Sequence, residues 1–191
     1  MKQVLLIGDS IRMGYCKAVK EALNDCAEVI FPSENCKSSQ YIIMRLIHWC
    51  NLCEKDKVAI VHLNCGQWDV GHFNGTPEPL TSLEEYRKNL RMIVWTLRNF
   101  FPEAQIMLAT TTPMNPVHPE TMNPRTTEEI IEYNRVVEEV AQELGLPVND
   151  LFEESKDWSE ELYLDYCHLT DEGYQRLAKR SLKPFQPTFN P

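Results

Sequence analysis

Ser10 stands directly after a short apolar run, Val4-Leu5-Leu6-Ile7-Gly8, and near the other end Asp165-Tyr166-Cys167-His168 precedes a last helical pattern. These are the parts of a nucleophilic relay. A serine hydroxyl is a weak nucleophile until a neighbouring base takes its proton. His168 suits that role because imidazole titrates near neutral pH. Asp165, in the same turn, can accept the second ring N–H, fix the tautomer and stabilise the imidazolium formed during attack. A serine opening a helix also turns its own N–H outward, where the helix dipole favours a developing oxyanion. Taken singly, Asp9-Ser10 reads equally well as an N-cap. It is the two pieces in this order, at the two ends of one chain, that point to ester chemistry.

The elements that must position them alternate. Val4–Gly8 reads as a buried strand, and Ile11–Asn24 as a helix with Met13, Val19 and Leu23 inward. A second strand, Ala27–Phe31, ends at Pro32, and Tyr41–Cys53 is apolar nearly all round, as a well-buried helix would be. Val58–Leu63 is a continuous apolar run, the pattern of a parallel strand covered on both faces. Ser82-Leu83-Glu84-Glu85 is a capping box, and the helix it opens places Tyr86, Leu90, Ile93, Val94 and Leu97 on one face. Gln105–Ala109 is a fourth strand. Thr126 caps a helix stopped by Gly145, a short fifth strand begins at Pro147–Val148, and Thr170 caps a last helix to about Leu182. This predicts one domain over 1–191, an α/β fold: a three-layer α/β/α sandwich with a five-stranded parallel sheet of order 2-1-3-4-5 and a loose tail over 183–191. In such sheets the ligand crevice lies at the carboxyl ends of the strands, near the switch between the first and third. Ser10 and Asn64 fall just beyond those two ends. The long connections 64–81 and 110–125 fall on the same edge, and loops of that length usually carry function.

Composition narrows the field. The net charge is −9 and no Lys/Arg cluster is visible, which disfavours nucleic acid or an anionic membrane as partner. No stretch approaches the ~20 apolar residues of a membrane span, and the apolar start is too short for a signal segment. Seven cysteines are scattered through helices and strand ends, which fits reduced thiols in a cytoplasmic protein. Cys50-x-x-Cys53 is an isolated pair and no Gly-Lys-Ser/Thr phosphate loop occurs, so neither metal nor cofactor is expected.

The chain resembles the SGNH (GDSL-type) hydrolases. Val-Leu-Leu-Ile-Gly-Asp-Ser matches their first block, and Asp165–His168 followed by Leu169-Thr170-Asp171-Glu172-Gly173-Tyr174 matches their last. Tyr133-Asn134 and Leu146–Leu151 resemble the family's run into its final strand. The resemblance implies a flavodoxin-like fold, a serine that attacks an ester carbonyl, and an oxyanion held by the serine N–H, a glycine N–H and an asparagine side chain. The middle blocks depart from the pattern. Ser33–Gln40 contains no glycine, which leaves the second donor among Cys36, Lys37, Ser38 and Ser39, with Ser38 as the candidate. Asn64-Cys65-Gly66-Gln67-Trp68-Asp69 replaces Gly-x-Asn-Asp and is more similar to the Asn-x-Gly-x-Trp of polysaccharide acetyl esterases and acetyltransferases. Asn64 is then the side-chain donor and the Gly66 N–H a helper.

Asp9, Arg12, Gln67 and Trp68 complete the candidate list as substrate contacts. Arg12 reads more simply as a salt bridge, Trp158 as packing, His62 as a satisfied core histidine, His48 as structural, and His72 and His118 as loop residues, of which His118 could reach the cleft. The expectation is a serine esterase acting on a small-molecule ester, acetyl on carbohydrate first. An acyltransferase or a lipase or thioesterase for longer chains would use the same machinery. A non-catalytic binding module on this fold is the other reading. Oligomeric state is not legible.

Overall fold

A computed structural model describes residues 1–189 of the chain. Strands β1 (Lys2–Gly8), β2 (Ala27–Ile30), β3 (Val58–Asn64), β4 (Gln105–Ala109) and β5 (Val148–Asn149) form one parallel sheet in the order β2-β1-β3-β4-β5. Side chains alternate across it. Leu5, Ile7, Val61 and Leu63 face one core, while Val4, Leu6 and Ile60 face the other. Burial on both faces is why the central strands carry uninterrupted apolar runs.

Helices close both faces. On the first lie α2 (Ser39–Cys50), α3 (Leu83–Phe100) and α4 (Thr127–Leu144), which bury Ile42, Trp49, Tyr86, Leu90, Ile93 and Val137. On the second lie α1 (Ser10–Ala22) and α6 (Asp171–Leu182), joined by α5 (Leu151–Ser155), with Ile11, Tyr15, Val19 and Leu177 inward. Ser82 with Glu85 and Thr126 with Glu129 form the capping boxes that start α3 and α4, and Gly145, at φ 64°, ends α4 in the left-handed conformation. Among the described residues no helix is long and apolar enough to cross a membrane.

Several expectations need correction. Met13 is exposed, on the outer face of α1. Met44 and Ile47 are also exposed, so α2 is buried along one side only. The segment Lys183–Phe185 is a 3-10 turn followed by α7 (Gln186–Phe189), and the buried Phe185 ring meets His62 at 5.7 Å. The tail is therefore anchored through Phe185, and residues 190–191 lie outside the described part.

Register fixes the working edge. Gly8 pairs with Asn64, so β1 and β3 end level. A Cβ on Gly8 would lie 2.6 Å from both the Arg12 Cβ and the Asn64 carbonyl oxygen, so only glycine allows this approach. The chain turns directly from Gly8 into α1 and sets Ser10 at the carboxyl edge of the sheet.

Candidate active site

Ser10 is the first residue of α1. Asp9 caps that helix by accepting from the Ile11 N–H at 2.9 Å. The partner turn is built locally: Asp165 Oδ1 accepts the backbone N–H groups of Cys167 at 2.9 Å and His168 at 2.8 Å. Asn115 then clasps it from the 110–125 loop, donating its N–H to the Tyr166 carbonyl at 2.8 Å and its amide to the Asp165 carbonyl at 3.1 Å. Thr170 caps α6 immediately afterwards. Two locally ordered turns, 158 residues apart, thus meet across the sheet edge.

They meet in hydrogen-bonding contact. His168 Nε2 lies 2.8 Å from Ser10 Oγ, and His168 Nδ1 lies 2.7 Å from Asp165 Oδ2. The ionised carboxylate can only accept, which assigns the ring proton to Nδ1 and leaves Nε2 to take the serine proton. Burial pushes the Asp165 pKa up, but the Cys167 and His168 N–H groups and the ring outweigh it and hold the carboxyl below its usual range. The relay opens into a cleft of about 100 Å³ whose walls include Ser10, His168, Asn35, Gln67, Trp68, Phe73, Asn123, Arg125, Tyr166 and Cys167.

The remaining sequence candidates divide. Gln67 and Trp68 line the cleft, and Trp68 stacks on Phe73 at 5.6 Å. Asp9 and Arg12 do not touch it. Asp9 is wholly buried behind Ser10, and burial pushes its pKa up to about 6. Arg12 turns inward and forms no ion pair among the described residues: its guanidinium donates to the carbonyls of Gly8, Pro32 and Glu34. Ser38 is the N-cap of α2, its hydroxyl accepting from the Tyr41 N–H. From that loop it is Asn35 that reaches the cleft. Asn64 is fully buried and donates its amide to the Thr110 carbonyl at 3.3 Å, away from the cleft wall. Gly66 packs against Thr111 and Tyr86 at φ 139°, also off that wall.

The histidines sort as follows. His62 is buried against Asn149 at 3.0 Å, and burial alone pulls its pKa down to about 4. His72 ties its loop to Glu129 of α4 at 2.8 Å. His118 is exposed near Glu160 and does not line the cleft. Trp158 packs at the edge of the second core, with Arg176 above its ring.

Which side-chain donors are free decides what the cleft can do. Gln67 is used at both ends: its amide donates to the Thr112 carbonyl at 2.7 Å, and its oxygen accepts from Arg125 at 2.8 Å. Asn35 uses its oxygen, accepting the Lys37 N–H at 2.8 Å, and keeps its NH2. The Trp68 indole N–H has no protein acceptor among the described residues. Asp165, Cys167 and His168 bring ligand atoms within 4.8 Å of one another, but burial pushes the Cys167 thiol up to about 12, so that set lacks a thiolate. Sequence reasoning missed Asn35 as a side chain, Phe73, Asn123, Arg125, Tyr166 and Cys167. Asn35, Phe73 and the pair Asn123 and Arg125 come from three separate loops with no shared spacing, while Tyr166 and Cys167 fill the middle of the Asp165–His168 turn.

A parallel sheet of this order, with a serine–histidine–aspartate relay at its carboxyl edge, is the architecture of the SGNH acyl hydrolases. The chain belongs to the GDSL-like lipase/acylhydrolase family, whose model matches residues 51–176. Among solved structures it is similar to a lipase/acylhydrolase from Enterococcus faecalis, at 20% identity and TM-score 0.81 over 100% of this chain and 98% of that one. It is also similar to the acetyl xylan esterase AlAXEase, at 20% identity and TM-score 0.75 over 95% and 98%. An acetylxylan esterase from Geobacillus stearothermophilus aligns at 20% identity and TM-score 0.74 over 95% and 93%. At these identities the likeness carries the fold. No curated protein matches the chain by sequence.

Proposed function

We propose that this chain is a serine esterase that removes a small acyl group, acetyl first, from a hydroxyl-bearing carrier such as a carbohydrate. The observation that carries the reading is the unbroken Ser10–His168–Asp165 relay at the mouth of a small cleft. His168 Nε2 takes the Ser10 proton as Oγ attacks the ester carbonyl, and Asp165 stabilises the imidazolium. The Ser10 N–H, with the free N–H groups of Asn35 and Trp68, holds the oxyanion. Collapse expels the alcohol, which takes the proton from His168 and leaves an acyl-Ser10. Water, deprotonated by His168, then hydrolyses that ester. The cleft volume of about 100 Å³ argues for a short acyl group, and the stacked Trp68–Phe73 pair offers a flat apolar face to a sugar. Seven free cysteines support a reducing, cytoplasmic setting.

Hydrolysis of p-nitrophenyl acetate tests the mechanism. Ser10→Ala lowers kcat by ~10⁶, as loss of a triad nucleophile does, and abolishes labelling by a fluorophosphonate probe. Retained labelling in that variant removes Ser10 from the mechanism. Across acetyl, butyryl and octanoyl esters the rate falls with length; a preference for octanoyl refutes the short-acyl assignment while leaving the relay intact.

A further inference from the structure

Arg125 precedes the cap of α4. It is 9% exposed, and it sits on the wall of the cleft that holds Ser10 and His168. Its Nε donates to Gln67 Oε1 at 2.8 Å, Nη1 to the Asn123 carbonyl at 3.0 Å, and Nη2 to Cys167 Sγ at 3.5 Å. A guanidinium has five N–H groups, so one on each Nη remains without a protein acceptor among the described residues. Nor does any carboxylate among them stand within 4.0 Å of Arg125. The Cys167 thiol is protonated and adds no charge.

Arg12 supplies the contrast. Also buried, it directs every N–H at carbonyls or sulfurs of the protein, to Gly8, Pro32, Glu34, Cys16 and Cys36. That arginine is satisfied internally; Arg125 has, beyond its three hydrogen bonds, only the face of the Tyr166 ring, 5.2 Å from its Cζ, which leaves the remaining N–H groups without an acceptor among the described residues. Two of the nearby acids are committed elsewhere. Asp165 holds His168 and two backbone N–H groups, and Asp69 accepts from the N–H and hydroxyl of Ser39. The buried Asp9 carboxyl faces Arg12, Arg125 and His168 together and makes no hydrogen bond to any of them. A second cation stands beside a cleft residue: Lys37 Nζ lies 5.8 Å from the centre of the Trp68 ring and 4.9 Å from that of Tyr41. A buried cation left short of acceptors is costly unless something completes it.

We infer that the free N–H groups of Arg125 receive a carboxylate carried by the substrate, so that the ester cleaved is an O-acyl derivative of a small hydroxy acid or sugar acid. This rests on the serine-esterase reading and specifies the alcohol side of that substrate. A planar guanidinium fork matches a carboxylate and fixes its orientation, which a point charge would not. The overall charge of −9 opposes the approach of an anion at long range, which makes a local cation the more necessary.

The test uses 3- and 4-acetoxybenzoate against their methyl esters, with release of the phenol as the readout, since methylation removes the charge and adds only one methyl group and an ester that this readout does not count. The wild-type protein favours a carboxylate form by about tenfold or more in kcat/KM, the worth of one charged hydrogen bond. Benzoate competes with methyl ester hydrolysis. In Arg125→Gln the preference falls to about one and benzoate no longer competes, whereas Arg125→Lys keeps part of both. Equal rates in the wild type without benzoate inhibition overturn the inference, and so does a preference that persists in Arg125→Gln. The two wild-type measurements decide the matter even if the variants do not fold. Failure of the underlying reading is a different result: none of the four esters is turned over and Ser10 takes no label, and the inference falls with it.

Discussion

Trp68 and Asn64 sit four positions apart in one sequence block yet differ in what their N–H groups have left to give. The Asn64 amide is buried and holds the Thr110 carbonyl, so it binds the end of β3 to the start of the loop after β4. The Trp68 indole N–H lies on a cleft residue, has no protein acceptor among the described residues and is held by stacking on Phe73. Only a donor free before the reaction can tighten on a charge that appears during it. Trp68→Phe deletes that donor and keeps an aromatic, though smaller, ring, and is expected to lower kcat for p-nitrophenyl acetate by ~10² or more while KM changes little. Asn64→Ala strands a buried carbonyl and is expected to lower stability by about 1–3 kcal/mol, read as a drop in Tm. If the Asn64 variant instead lost the rate and Trp68→Phe kept it, the oxyanion donors would have to be exchanged. In both variants the Ser10–His168 contact is untouched, so a surviving fluorophosphonate label separates a lost donor from a lost relay.

Between strand and helix, Arg12 does for the 32–36 loop what a capping box does for a helix end. It gathers the carbonyls of Gly8, Pro32 and Glu34 around one guanidinium, while the Glu34 carboxylate reaches α2 through the Tyr41 hydroxyl at 2.7 Å and the Trp49 N–H at 3.1 Å. Asn35 is carried into the cleft by that clamp, so Arg12 is a positioning residue. Arg12→Lys keeps the charge but not the fork. It is expected to lower kcat roughly tenfold or more, with a fall in Tm, and external guanidine should restore part of kcat in Arg12→Ala. Unchanged kcat in the lysine variant would free the loop from this dependence. The same loop shows where sequence stops being informative. Strand order, capping boxes and the turn of Asp165 and His168 were legible because each is written in neighbouring residues with a fixed period or spacing. Arg12 was not: a cation in the first turn of a helix looks like a surface salt bridge until the chain bends Pro32 and Glu34 over it. Ser38 does not line the cleft for a related reason: a serine ahead of an apolar helix is an N-cap by local rule, and its hydroxyl caps α2. Arg125 could not be paired with Gln67 and Cys167 before three separate loops were known to converge. Phe185 looked like part of a loose tail because its partner, His62, lies in a strand 123 residues away by the numbering.

Taken whole, the molecule buries titratable groups of opposite sense, and its stability profile with pH follows from their balance. Asp9 and Asp69 are pushed up to about 6 by burial, so they bind protons more readily folded than unfolded and favour the fold as pH falls from about 6 toward 4. His62 acts the other way. Asn149 donates to Nε2, Nδ1 carries the proton without an acceptor, and burial holds the ring neutral down to about 4 against an ordinary 6.5. Such a base binds more protons unfolded than folded, so its contribution is intact above about 6.5 and is lost as pH drops toward 4. Because the aspartates and the histidine offset each other, a flat wild-type profile would conceal both. His62→Gln isolates one arm, since it leaves a polar partner for Asn149 and removes the titration. Between pH 7 and pH 5 the difference in unfolding free energy between the two proteins should move by about 2 kcal/mol in favour of the variant. Urea titrations at the two pH values measure it. Parallel profiles would mean that His62 ionises inside the fold, and that water reaches the contact between β3, β5 and Phe185 that anchors the C-terminal turn.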